Sequence, residues 1–236
     1  MQVKAEKRLS QGLLFLASYT YGKNLDMQAS TAGDTFTNNY NWALNKGLSP
    51  NNIKSRFVIS GVWEIPVGQH KRFGSNFGRA VDAALGNWSV NWIWSLQTGN
   101  PIDIRSNVNT NLVNGVSRPN NICDPTLSSG SFTEPTRFQW MNTACFVAQP
   151  FGTIGNSGRY IVVGPGRNNW DFSIFKNFML LPENRMNLEF RTEFFNGFNH
   201  TQFVGPDTWT IPSATFGVIT SAADPREMQF GLKLNF

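Results

Sequence analysis

The sequence predicts an all-β fold, an antiparallel up-and-down transmembrane β-barrel segment of about seven strands. Three observations predict this class. The stretch from Arg226 to Phe236 has an apolar residue at every second position, the period of a strand with one apolar face. Charged residues make up only 15% of the 236 residues, whereas aromatic residues reach 14%. Six further segments repeat the alternation, and polar connections of very unequal length separate them.

The six further segments can be placed from their apolar parity. Lys176 interrupts the parity of the fifth strand, and residues 10–12 and 182–185 have the composition of tight turns. Residues 79–85 predict either a short helix or a segment that lies across a turn. The seven predicted strands cover residues 3–9, 13–21, 57–65, 88–96, 170–180, 186–198 and 226–236.

The connections differ in length according to the end of the sheet at which they lie. Segments 22–55, 99–166 and 201–225 are long and rich in Asn, Ser, Thr and Gly, and we expect irregular loops there. The intervening connections are shorter. Short turns at one end and long loops at the other are typical of outer-membrane barrels, whose long loops are extracellular. Aromatic residues near the strand ends fit the girdles of such barrels at the membrane interface.

Several functional classes are not supported by the sequence. No run of about 18 apolar residues is present, so no transmembrane helix is predicted. The net charge is +5, but the basic residues are scattered, and no nucleic-acid partner is expected. His70 and His200 lack metal-ligand neighbours, and no phosphate-binding or nucleophile motif occurs. We therefore predict neither an enzyme nor a metal or cofactor site.

The two cysteines fall in one long polar segment. Cys123 and Cys145 are 22 residues apart. We favour a disulfide that clips the loop in an oxidising compartment, and the alternative is a pair of free thiols.

The C-terminal octapeptide QFGLKLNF resembles the β-signal that the bacterial barrel assembly machinery reads. The residues that carry the resemblance are Gln229, Gly231, Leu234 and Phe236. Recognition of this kind adds a strand to an open sheet edge. We therefore expect the last strand to lie at an edge of the sheet, without a partner on one side.

Longer stretches resemble the Oar-like branch of TonB-dependent outer-membrane receptors. They are KRLSQGLLFLASYTYGKNLD, SGVWEIPVG, GPGRNNWDFSIFKNF and RTEFFNGFNHTQF. The resemblance implies a barrel of about 22 strands with a plugged lumen in the bacterial outer membrane. It also implies uptake of a bulky nutrient ligand, powered by an inner-membrane TonB complex that engages the N-terminal part of the receptor. Residues 1–236 would then be the C-terminal part of the barrel, an open sheet without plug or signal peptide.

The polar parity of the sixth strand supplies candidate lumen-facing residues, namely Asn187, Glu189, Arg191 and Glu193. The apolar parity is expected to contact outer-membrane lipid. The Asn-rich loops and the Trp residues also suit a different class, a secreted soluble β-rich carbohydrate-binding module. In that class the apolar parity, which includes Trp92, Phe172, Phe190 and Leu232, would pack against a second sheet.

Overall fold

The computed structural model describes residues 1–27, 38, 40–69, 71–108, 117–127, 135–181 and 186–236. Within these ranges the helical elements are α1 (Arg79–Leu85) and two 3₁₀ turns, Trp42–Asn45 and Thr143–Cys145. None of these helices is long and apolar enough to cross a membrane. The strands are β1 (Gln2–Ser10), β2 (Leu13–Tyr21), β3 (Leu25–Asp26), β4 (Gly47–Leu48), β5 (Ser55–Glu64), β6 (Trp88–Gln97), β7 (Pro101–Ser106), β8 (Asn120–Asn121), β9 (Phe146–Val147), β10 (Val162–Val163), β11 (Arg167–Leu181), β12 (Met186–Phe195), β13 (Phe203–Val204), β14 (Thr208–Ile211), β15 (Ser221–Ala222) and β16 (Glu227–Asn235).

Seven of these strands form the main sheet, in the order β1-β2-β5-β6-β11-β12-β16. Each strand is antiparallel to its neighbours, and the order follows the chain. The all-β up-and-down fold predicted from the sequence is therefore confirmed. Among the described residues, β16 pairs only with β12, so the last strand lies at an edge, as predicted.

The register brings the apolar parities of all seven strands to one side of the sheet. Residues opposite each other on adjacent strands point to the same side. One row across the sheet contains Phe15, Gly61, Trp92, Phe172, Phe194 and Met228, and the next contains Leu13, Trp63, Val90, Ile174, Thr192 and Phe230. We call this side the apolar face. The opposite side, the polar face, carries amide, hydroxyl and charged side chains with scattered aliphatic ones.

Several strand bounds differ from the prediction by up to three residues, and the largest shortening is in the sixth strand. The sixth predicted strand, expected to reach Phe198, ends at Phe195. Asn196 adopts a left-handed backbone with a φ of 48°, which terminates the extended conformation. Its side-chain oxygen also accepts a hydrogen bond from the His200 backbone N–H at 3.0 Å, which closes the turn that contains Phe198. The predicted turn at 182–185 lies outside the described residues.

Lys176 lies on the apolar face without interrupting β11. Its ammonium donates to the backbone oxygens of Asp82, at 3.3 Å, and of Gly86. Gly86 caps the C-terminal end of α1, where carbonyls have no partner within the helix, whereas the Asp82 carbonyl also accepts from the Gly86 N–H at 2.8 Å. The Trp88 and Phe178 rings enclose the same ammonium, with centroids 5.3 and 5.2 Å away. Residues 79–85 are therefore a helix, and it covers the lysine that broke the sequence pattern.

The long connections were expected to be irregular, and this expectation is wrong in part, because their described residues include short strands and two 3₁₀ turns. We call the described residues of 22–54, 98–166 and 196–226 the loop layer. In it, β7 pairs antiparallel with β10 and parallel with β14. The hydrophobic core of the described chain lies in this layer and consists of Ile102, Ile104, Met141, Cys145, Phe146, Val162, Trp209, Ile211 and Ile219. Strands of two to six residues are too short to show a hydrophobic period, which explains the error.

Buried arginines tie the first long connection to the second. The Arg159 side chain is 3% exposed and forms an ion pair with Asp26. Arg118 donates to the backbone oxygen of Leu44 at 3.1 Å and to the Asn45 side chain at 3.4 Å. The parallel pairing of β7 with β14 joins the second connection to the third. The loop layer is therefore one packed unit built from three distant parts of the chain.

Candidate functional site

A cavity of about 590 Å³ lies where the loop layer meets the main sheet. Since the strands alternate in direction, the three long connections lie at the same end of the sheet, and all of them contribute to the cavity wall. The lining residues are Pro50 and Asn51 from the first, Gln97, Gly99, Asn100, Pro101, Ile102, Arg105, Tyr160, Gly164, Pro165, Gly166 and Arg167 from the second and its flanking strands, and Gln202, Phe203, Val204, Gly205, Pro206, Asp207, Thr208 and Ala223 from the third.

The cavity borders the end of the polar face. Gln97 and Arg167 are opposite each other in the register of β6 and β11, on the polar parity, and both line the cavity. Arg105 joins them from β7, held through its Nε by the buried carboxylate of Asp103 at 2.8 Å. Asp207 supplies the acidic group of the lining. Two guanidinium groups and several amides therefore offer hydrogen-bond donors to a polar ligand.

Gln202 fixes the third connection against the sheet. Its side-chain oxygen accepts from the Asn168 backbone N–H at 2.9 Å, and its amide nitrogen donates to the Asn168 carbonyl. The side chain thus replaces a neighbouring strand at the beginning of β11. Polar side chains that bond to backbone N–H and C=O groups in this way take the place of the hydrogen bonds of regular secondary structure. No motif or spacing in the sequence links Gln97, Arg105, Arg167 and Gln202, so none of them could be predicted as a site residue.

The predicted lumen-facing residues lie together on the polar face of β12, beside the terminal strand β16. Asn187, Glu189, Arg191 and Glu193 are paired in the register with Asn235, Lys233, Gly231 and Gln229, respectively. Asn235 donates to the Asn187 side-chain oxygen at 2.7 Å, and Gln229 donates to the Glu193 carboxylate. The arrangement brings both charge signs and amides into two adjacent strands.

The four residues that carry the resemblance to the β-signal do not all lie on one face of the sheet. Gln229 and Gly231 lie on the polar parity, and Leu234 lies on the apolar parity opposite Leu188. Gly231 leaves room for Arg191, since a Cβ there would be 3.1 Å from its Nε. Phe236 follows β16 and is 98% exposed.

The apolar face is exposed most strongly along the terminal strand. Phe230 and Leu232 are 68% and 71% exposed. Trp92, Phe172, Phe190 and Leu232 all lie on this face, and none of the smaller sheets formed by the described residues contains their strands. In water, an apolar surface of this extent marks an interaction site for another protein or a membrane.

Comparison with known protein families agrees with this surface. A family described as "Outer membrane beta barrel domain" matches residues 1–229. The chain belongs to this family. The match includes Gln229 but not the rest of the terminal octapeptide. Searches of curated proteins and of solved structures found no match.

An outer membrane beta barrel domain is located in the bacterial outer membrane, with its apolar face towards lipid. Its polar side faces the interior of the barrel, and its long loops are extracellular. The loop layer and the cavity therefore lie at the extracellular end of this sheet.

The aromatic residues of the barrel strands form a row at the extracellular end. The Trp94 ring stacks on Trp170 at 4.7 Å and contacts Phe57 edge-on at 5.3 Å, and Phe198 continues the row at 5.7 Å from Trp170. Trp94 also donates to the Asn168 side chain at 2.8 Å. An apolar ring with a polar contact at its edge suits the boundary between lipid and water.

The two cysteines of the barrel domain are joined by a disulfide within the loop layer. Cys145 is fully buried in the loop-layer core, whereas Cys123 is exposed. Asp124 follows Cys123 in the chain, and its Oδ1 accepts a hydrogen bond from the Thr126 backbone N–H at 2.9 Å. This bond lowers the pKa of the Asp124 carboxyl, and the Thr126 hydroxyl adds to the effect. The disulfide links residues at the periphery of the layer to its centre.

No metal centre is formed by the described residues, among which no three His, Cys, Asp or Glu side chains come together. His200 is exposed, and its ring nitrogen lies 3.2 Å from the Gln202 amide. His70 lies outside the described residues.

Proposed function

We propose that the chain is part of an Oar-like TonB-dependent receptor that takes up a bulky nutrient ligand through the outer membrane. The observation that carries the proposal is the cavity at the extracellular end, which borders the polar face and is built by all three long connections. A ligand captured there would be next to the barrel interior. The four sequence stretches that resemble these receptors support the same function.

The proposed roles of individual residues follow from their place in the sheet. The first ligand contacts would be made by four polar residues of the cavity wall, namely Arg105, Arg167, Gln97 and Gln202. Below them, Asn187, Glu189, Arg191 and Glu193 would face the lumen and contact the plug of such a receptor or the passing ligand. The inner-membrane TonB complex would supply the energy by engaging the N-terminal part of the receptor. The proposal requires neither catalysis nor a cofactor.

Uptake assays in the native bacterium test this function. The probes are a ferric siderophore, cobalamin, an oligosaccharide and an oligopeptide. We expect uptake of one probe to be lost when the gene is deleted and also when TonB function is removed. The variant Arg105→Gln/Arg167→Gln should reduce this uptake, whereas Arg137→Gln, an exposed arginine outside the cavity lining, should not. Uptake of every probe independent of the gene, or persisting without TonB, would contradict the proposal.

We also propose that the terminal octapeptide is the address for the barrel assembly machinery. Its strand lies at the sheet edge, where strand addition takes place. Deleting Phe236 in the full-length protein should lower its amount in outer-membrane fractions several-fold, whereas Phe236→Trp, which keeps an aromatic terminus, should not. Quantitative immunoblotting of membrane fractions measures this. Normal amounts of the shortened protein would show that the terminal residue is dispensable.

A further inference from the structure

Residues 71–87 form a connection at the end of the sheet opposite the cavity. They precede Trp88, the first residue of β6, and lie at the same end as the tight turn between β1 and β2. In outer-membrane barrels the end with the short turns is periplasmic. We therefore call residues 71–87 the periplasmic segment.

The periplasmic segment lies against the lipid-facing side of the sheet. Trp88 and Lys176 are opposite each other in the register and belong to the apolar face. The Trp88 indole N–H donates to the Ala84 carbonyl at 2.9 Å, and Lys176 donates to the carbonyls of Asp82 and Gly86. These contacts hold α1 on the outer surface of the barrel wall. Lys176 itself is 1% exposed, so it is not available to a lipid headgroup.

Exposed apolar side chains continue the lipid-facing surface onto the periplasmic segment. Val81 and Leu85 are one helical turn apart and therefore share a face of α1. They are 45% and 54% exposed, and Phe73 is 55% exposed. Aliphatic residues on a short helix beside the membrane, together with an exposed phenyl ring, can enter the boundary between headgroups and acyl chains.

The charges of the same segment are arranged for an anionic partner. Arg72 and Arg79 are exposed, and Arg72 lies 5.4 Å from the Phe73 ring centroid. Asp82, the one acidic residue of the segment, is buried and accepts from the Gln69 backbone N–H at 2.6 Å. The third cation, Lys71, pairs with Glu64 at 3.2 Å. Two exposed arginines and three exposed apolar side chains thus belong to one short segment, whose helix is held against the lipid-facing wall.

We propose that the periplasmic segment is a binding site for phosphatidylglycerol of the periplasmic leaflet. Arg72 and Arg79 bind the headgroup phosphate, for which the guanidinium fork is well suited. Phe73, Val81 and Leu85 contact the upper parts of the acyl chains. The site is continuous with the lipid-facing side of β6 and β11, which supplies the rest of the lipid surface. This inference depends on the barrel family and not on ligand uptake.

Native mass spectrometry of the full-length protein tests the proposal. The protein is reconstituted in nanodiscs of phosphatidylcholine mixed with phosphatidylglycerol and released into detergent, and the retained lipids are identified. We expect phosphatidylglycerol to be enriched on the wild-type protein. Since one basic residue near an anionic surface changes binding by roughly fivefold, Arg72→Gln/Arg79→Gln should reduce this enrichment by roughly 25-fold. Val81→Ser/Leu85→Ser should reduce retention of both lipids.

A matched control removes two cations from the opposite end of the barrel. Arg137 and Arg226 are exposed and belong to the loop layer, and Arg137→Gln/Arg226→Gln should leave the enrichment unchanged. Equal loss in both double variants, or equal retention of the two lipids by the wild type, would overturn the proposal. Slower migration of unheated samples on a gel reports unfolding of each variant. If the first double variant does not assemble, the single variant Arg72→Gln must lose about fivefold of the enrichment, and no loss would overturn the proposal.

Discussion

Replacing Gly99 by alanine is expected to separate the two ends of the second long connection from each other, beside the barrel wall. A Cβ at this position would overlap the backbone carbonyl of Gly164 and the backbone oxygen of Pro165. The Gly164 N–H donates to the Asn100 carbonyl at 2.8 Å, and β10 pairs with β7 directly beyond it. Because the obstacle is backbone, it cannot rotate away. We therefore expect a cost above the ~1–3 kcal/mol of ordinary overpacking.

Hydrogen exchange of the purified protein measures this effect. Amides of Val162 and Gly164 should exchange faster in the Gly99→Ala variant, while those in the middle of β6 and β11 remain protected. Gly22→Ala is the matched control, since a Cβ at Gly22 would meet nothing within 4 Å. Unchanged protection of Val162 in Gly99→Ala would mean that the two segments lie further apart than described.

Removing the disulfide should destabilise the loop layer by about 3 kcal/mol, the loop-closure value for a cross-link of this span. The two cysteines are 22 residues apart, and Cys145 lies in the loop-layer core. The double variant Cys123→Ala/Cys145→Ala avoids placing a hydroxyl in that core. Its loop layer should become sensitive to added protease, with cleavage after Arg118 or Arg137, because both arginines belong to this layer.

Barrel and loop layer should respond differently to loss of the disulfide. The main sheet contains neither cysteine, so heat-dependent gel migration of the double variant should match that of the wild type. Ile122→Ala is a suitable control, because Ile122 neighbours the disulfide but is 66% exposed, and its loss should change stability by no more than about 0.5 kcal/mol. Protease resistance equal to the wild type would show that core packing alone holds the layer.

The main sheet could be predicted because its strands are long and their alternation is clear. In β6, Trp88, Val90, Trp92, Trp94 and Leu96 share one parity over the whole strand. Order and direction then follow from a simple meander, in which each strand pairs with the next. Lys176 interrupts the apolar alternation of β11 in the sequence. Its position on the apolar face is explained only by its acceptors, the carbonyls of Asp82 and Gly86, which lie about 90 residues earlier in the chain. A sequence pattern does not contain this kind of contact.

The cavity could not be predicted, because its parts are distant in the chain and carry no motif. In β7, Ile102 and Ile104 alternate with Asp103 and Arg105, but this is too short to indicate a strand. Its parallel partner, β14, lies in another long connection. The disulfide was easier to anticipate, since two cysteines allow one intrachain pairing.

The parallel pairing of β7 with β14 also sets an order of folding. Neighbouring strands of the main sheet are mostly close in sequence, whereas Asp103 is paired with Thr208 across most of the second half of the chain. Contacts of such high contact order form late, because the loop-closure entropy must first be offset by other structure. We therefore expect β11 and β12 to be paired in the main sheet before β14 pairs with β7 and completes the loop layer. A chain stalled before β14 would have a partly formed wall but no cavity.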